Sequence, residues 1–94
     1  MIYKMIYQLS YELKTPDKDY TALYSFLEKE VGGSAIHVLR DTWWIKYNES
    51  QNINDLCDLI KGKMGENDVF FLSALSVNDM NGWLPSSNWK WLNE

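Results

Sequence analysis

Glu12 and Ser10 are the residues of this sequence best placed to do chemistry. They lie two apart in a stretch where polar and apolar residues alternate, so a strand puts both on its more polar side with the carboxylate at its end. A carboxylate there is a hard oxygen ligand for a divalent cation, particularly if a two-fold axis brings a second copy beside it. One carboxylate alone is a thin donor set, and an exposed strand-end glutamate without a role is the plainer reading. The other reactive side chains stand apart from one another. His37 is the sole histidine, lies within a strand and has no nucleophile motif nearby, whereas a hydrolytic triad needs a nucleophile, a base and an orienting group. Cys57, the sole cysteine, falls on the apolar stripe of a helix, where cysteine behaves as a small hydrophobe. One Cys and one His cannot furnish the tetrahedral set of a structural zinc site. Phosphate-cradling loops of the Walker or G-x-G-x-x-G type are missing, and Gly32-Gly33 follows a helix instead of opening one.

Charge bears on the partner. With 9 Lys and Arg against 13 Asp and Glu, the formal net charge is −4, so the overall electrostatics do not favour a polyphosphate. Lys14, Lys18, Arg40 and Lys46 are the candidates for a local nucleic-acid patch, with scattered solubilising charge as the alternative. Tyr3, Tyr7 and Tyr11 share one side of the first strand. They could stack on unstacked bases from an open sheet face, or form core or a dimer interface; the alternation does not say which face is covered.

Periodicity defines the strands and helices that carry these residues. Residues 3 to 13 alternate, with Tyr3, Met5, Tyr7, Leu9, Tyr11 and Leu13 on one face and Lys4, Gln8, Ser10 and Glu12 sharing the other with Ile6, and Thr15-Pro16-Asp17 breaks the strand. Tyr20, Leu23, Tyr24, Leu27 and Val31 then make one helical stripe ending at Gly32-Gly33. Residues 35 to 39 and 42 to 47 read as a strand pair around Arg40-Asp41, with Trp43, Ile45 and Tyr47 on a common face. Ser50 is the expected N-cap of a second helix carrying Ile53, Leu56, Cys57 and Ile60, which ends at Gly62 and Gly65. After the Asn67-Asp68 turn, residues 69 to 75 form an apolar run interrupted only by Ser73, as expected of a central strand covered on both faces. The tail holds Trp83, Trp89 and Trp91, with a turn, a short edge strand or extended piece expected at 82 to 84, and a helical turn from Ser86 or Ser87. Three tryptophans so close together should pack on the domain or on a partner, which marks residues 79 to 94 as a docking or dimerisation segment.

The pattern is β-α-β-β-α-β, an α+β, ferredoxin-like expectation: a four-stranded antiparallel sheet with two helices on one face, in a single domain over residues 1–94. At 94 residues and 46% apolar, with five Trp, six Tyr and three Phe, the chain has material for one core without staples. A lone cysteine favours a reducing compartment, hence a cytoplasmic location. The first residues do not read as a signal peptide, and no segment reaches the roughly 20 apolar residues of a membrane helix.

Ser10-Tyr11-Glu12-Leu13-Lys14, then Pro16, Lys18-Asp19-Tyr20 and Leu23-Tyr24, then Asp41-Thr42-Trp43, Asn67-Asp68 before an apolar strand, and Trp89 to Leu92 resemble a group of short SinR-like bacterial and phage proteins. These in turn are similar to the CRISPR-associated protein 2 family of ferredoxin-like dimers. The resemblance implies a homodimer. In that family the first strand ends in an aspartate connected with nuclease activity that depends on Mg²⁺ or Mn²⁺, while many members act as structural adaptors holding DNA and an integrase. The matching position is Glu12, one methylene longer, which displaces a ligand by about an ångström. The resemblance therefore implies a non-catalytic adaptor in a nucleic-acid-linked process, defence or counter-defence. The alternatives are a metal-dependent endonuclease with Glu12 as ligand, and a protein-interaction module without nucleic-acid binding.

Overall fold

The computed structural model describes residues 4–30, 35–48 and 52–94. Period-two alternation produces the first strand, β1 (Lys4–Glu12), which buries Tyr7, Leu9 and Tyr11 on one side and turns Gln8 and Ser10 to the other. Met5, on the apolar side of the pattern, stays 39% exposed near the strand's start, and Tyr3 lies outside the described residues. Strands β2 (Ala35–Leu39) and β3 (Thr42–Asn48) form the expected antiparallel pair about Arg40-Asp41. With β4 (Val69–Ala74) they complete a four-stranded antiparallel sheet in the order β2-β3-β1-β4.

The register decides the faces. Leu9 stands opposite Trp43 and Leu72, Tyr7 opposite Ile45 and Tyr11 opposite Phe70, so these side chains share one face. It is covered by two helical segments whose own apolar stripes complete the core: Leu23, Phe26 and Leu27 from the first, Leu56 and Ile60 from the second. The first segment begins as α1 (Thr21–Ser25) and continues as a π-helical stretch (Phe26–Glu30), instead of one α-helix. The expected Val31 and the Gly32-Gly33 terminus lie outside the described residues. Asp19 opens it: its carboxylate accepts the Thr21 backbone N–H at 2.9 Å and the Thr21 hydroxyl at 2.6 Å. Those two bonds hold the Asp19 carboxyl below its ordinary range.

Helix α2 (Ile53–Lys61) is capped by Asn52, whose side-chain oxygen accepts the Asp55 N–H at 2.9 Å. This corrects the expectation of Ser50, which lies outside the described residues; Asn52 stands directly before the first helical turn, where its carbonyl reaches that amide. Leu56 and Ile60 are wholly buried, and Cys57, a free thiol, is half-buried beside them.

One further expectation is corrected, and one pair of alternatives is narrowed. β4 is an edge strand, not a central one: Phe70 and Leu72 pack on the core, while Val69 and Phe71 are 53% and 70% exposed on the other face. An apolar run reads the same whether its second face is covered or left outward. Of the two alternatives at residues 82 to 84, the edge strand is not formed; a single 3₁₀ turn (Val77–Asp79) and an irregular stretch lead to Pro85, which precedes a third helix, α3 (Ser86–Leu92).

Helix α3 sits on the sheet face opposite α1 and α2. Trp89 and Trp91 pack against Trp44 with ring centroids 5.9 and 6.4 Å apart, and Trp44 donates its indole N–H to Gln8 Oε1 at 3.1 Å. Lys46, on the same face as Trp44 and only 6% exposed, donates from Nζ to the Trp91 carbonyl and, at 3.4 Å, to the Glu94 carbonyl. Its ammonium also lies 4.2 Å from the Trp91 ring centroid. A cation at a helix C-terminus satisfies carbonyls that lack an intrahelical donor and complements the helix dipole. Replacing Lys46 by Met is therefore expected to cost about 1–2 kcal/mol and to loosen α3. Tryptophan emission should move to longer wavelength with little change in far-ultraviolet circular dichroism; an unmoved spectrum would show that aromatic packing alone holds the helix.

Candidate site at the outer end of the sheet

Ser10 and Glu12 lie where the alternation puts them, on the sheet face away from α1 and α2, and α3 covers only the part of that face around Trp44 and Lys46. Ser10 stands opposite Thr42 on one neighbour and Phe71 on the other, and Glu12 opposite Val69. The Ser10 and Thr42 hydroxyl oxygens are 3.5 Å apart. The Asp41 carbonyl accepts the Tyr11 N–H at 3.1 Å, which fastens the β2–β3 turn to the end of β1. Together Ser10, Glu12, Asp41, Thr42, Val69 and Phe71 line an open trough of about 450 Å³.

Its electrostatics are simple. Glu12 forms an ion pair with Lys14 at 3.2 Å, both side chains being more than half exposed, so the pair is screened and worth little. Tyr11 lies beneath: burial, opposed by the Trp43 indole N–H that donates to its oxygen at 3.0 Å, pushes its hydroxyl up to about 12, leaving it neutral at physiological pH. Among the described residues no three His, Cys, Asp or Glu side chains gather to hold one metal ion. Glu12 and the Ser10 hydroxyl are a partial donor set, and a Mg²⁺ or Mn²⁺ site at this position needs further oxygen ligands from a second chain or a substrate.

The four cations named from sequence are divided. Lys14 is paired with Glu12, and Lys18 and Arg40 are exposed in separate loops; Lys46 is buried under α3. Tyr7 and Tyr11 are core under the helices, so neither ring is offered to a base. His37 is exposed, stacked on Trp43 at 4.5 Å between centroids, with Nε2 3.0 Å from the Arg40 carbonyl oxygen. Of the tail tryptophans, Trp89 and Trp91 are half-buried on Trp44, whereas Trp83 is 100% exposed. Beside Trp83 lies a second open hollow, also about 450 Å³, lined by Met80, Gly82, Trp89 and Leu92 among others.

Sequence reasoning missed Asp68, read only as half of a turn signal. Its Oδ1 accepts the Lys14 N–H at 2.6 Å, the Thr15 N–H at 3.0 Å and the Tyr20 hydroxyl at 2.6 Å; Oδ2 accepts the Gly65 N–H at 2.6 Å. Asn67 adds a bond from its N–H to Thr15 Oγ1 at 3.0 Å. One carboxylate thus ties the loop after β1 to the loop before β4, and with it the end of the strand that carries Glu12. Partial burial of Asp68 acts to raise its pKa, but the donors from Tyr20, Gly65, Lys14 and Thr15 outweigh it and hold the carboxyl well below the usual carboxylate range. An aspartate immediately before an apolar strand was the available signal; that its acceptors would meet amides more than fifty residues earlier is a property of the fold alone. No protein-family model matches the chain, and no curated protein or solved structure matches it either.

Proposed function

We propose that the chain is a ferredoxin-like domain that works as a homodimeric, non-catalytic adaptor in a nucleic-acid-linked process, as its resemblance to the CRISPR-associated protein 2 family implies. The strand order, with α1 between β1 and β2 and α2 between β3 and β4, supports the βαββαβ reading, to which α3 is an addition. The observation that carries the association is Trp83, an indole wholly in solvent beside a hollow lined by Met80, Trp89 and Leu92. Burying an aromatic side chain is worth several kilocalories per mole, and a two-fold axis at this tail lets each Trp83 fill the hollow of the other copy.

Light scattering on a size-exclusion column should give a dimer mass for the native chain and a monomer mass for Trp83→Ser, whose solvent position leaves the fold intact. Short single- and double-stranded DNA and RNA, titrated at low salt with and without Mn²⁺, should bind without being cut. A native chain that stays monomeric at every concentration would end the dimer reading; no affinity for any nucleic acid would leave a protein-interaction module. The second reading, a metal-dependent endonuclease, is favoured by the exposed Glu12 carboxylate at the strand end, and Mn²⁺-dependent cleavage abolished in Glu12→Ala would establish it.

A further inference from the structure

The trough at the β1–β4 end of the sheet is chemically unlike the Trp83 hollow, for it carries two carboxylates beside its apolar side chains. Its floor carries Phe71 and Val69, large apolar side chains exposed on an edge strand, an arrangement that natural sheets commonly blunt with charge. The ionised side chains among the described residues that line it are Glu12 and Asp41, both acidic and both exposed. The nearby cations, Lys14 and Arg40, are not part of the lining: Lys14 leans on Glu12 from outside, and Arg40 occupies the other position of the β2–β3 turn. Between acids and apolar floor stand the Ser10 and Thr42 hydroxyls, able to donate or accept toward a ligand's backbone.

We infer that this trough binds a short basic peptide segment of a partner protein, one Lys or Arg beside an apolar residue. Charge complementarity selects that occupant: the aliphatic stem of the basic side chain lies along Phe71 and Val69, and its head meets the Phe71 ring face and the Glu12 and Asp41 carboxylates. The Lys14 pair offers little resistance, because an exposed ion pair exchanges partners at small cost. A polyphosphate is disfavoured at the same place, since two carboxylates face it. The site is independent of the tail contact through Trp83, so either can fail without the other.

Capped Leu-Arg-Leu and Leu-Gln-Leu peptides, titrated into the ¹⁵N-labelled full chain and followed by amide chemical shifts, test this. The Arg peptide should move the amides of Ser10, Glu12, Asp41 and Phe71 and bind about ten-fold tighter than the Gln peptide. The advantage should fall about ten-fold in Glu12→Gln or Asp41→Asn, exposed positions whose replacement spares the core, and shrink with added salt. Equal binding of the two peptides would overturn the proposal. So would shifts centred on Trp83, movement of the trough amides on dilution of the protein alone, which would assign the face to a second copy, or the same shifts produced by an oligonucleotide.

Discussion

Asp68→Ala should lower the unfolding free energy by about 2 kcal/mol near neutral pH, measured by urea denaturation, although no apolar core group is lost. The carboxylate accepts from three backbone amides and the Tyr20 hydroxyl, and without it the Lys14, Thr15 and Gly65 N–H groups must find water or remain unpaired. Partial exposure of the site keeps the figure at the lower end of the range for charge-assisted bonds. Asn at this position should recover only part of the loss, since its NH₂ presents donors to donors. The pH dependence has a definite sign. The folded carboxyl titrates below its ordinary value of 3.8, so the unfolded chain takes up the proton first as acid is added. Asp68 therefore contributes its full stabilisation above about pH 4, and that contribution drains away as the pH falls further. The gap between native protein and Asp68→Ala should be constant from about pH 7 down to about pH 5 and smaller at about pH 3. A gap that widened in acid would contradict the clamp.

Leu9→Ala should cost about 2–5 kcal/mol. Leu9 is wholly buried at the middle of β1, opposite Trp43 on one neighbouring strand and Leu72 on the other, under the helix side chains Leu23, Leu27, Leu56 and Ile60. A sheet held on both sides cannot collapse into the vacated volume, which favours the upper half of that range. The informative comparison is Phe71→Ala. A phenylalanine covered on both sides of a central strand would lose about 3–5 kcal/mol on truncation, whereas at 70% exposure the loss should be within about 0.5 kcal/mol. Thermal or urea unfolding of the two variants side by side measures the burial of the two faces directly, and a large loss for Phe71→Ala would mean that another chain covers it in solution.

Much of the secondary structure was legible because its signals are local. Alternation placed Tyr7, Leu9 and Tyr11 on one side of β1, the 3.6-residue repeat marked Leu23 and Leu27 and then Leu56 and Ile60, and Arg40-Asp41 marked the turn between β2 and β3. The π-helical continuation of α1 carries no periodic signature strong enough to separate it from α-helix. Ser50 and Asn52 are both good capping residues, and only the observed start of α2 chooses Asn52.

For the candidate site, the position of Glu12 on the polar side of β1, two residues from Ser10, was in the sequence, because side-chain direction in a strand alternates residue by residue. Its companions were not. Thr42, Phe71 and Val69 come beside β1 through strand pairing, and Asp41 through the β2–β3 turn, across roughly 30 to 60 residues of chain, and such partners have no local code. The same holds for Lys46, whose charge suggested solvent and whose place under α3 follows from carbonyls almost fifty residues away. Local pattern thus determined which residues form each element and which way they point. Tertiary structure alone decided which strand lies at the edge, which apolar face stays uncovered and which charges are satisfied internally, because those depend on long-range contacts whose free energy is gained only once the whole sheet is assembled.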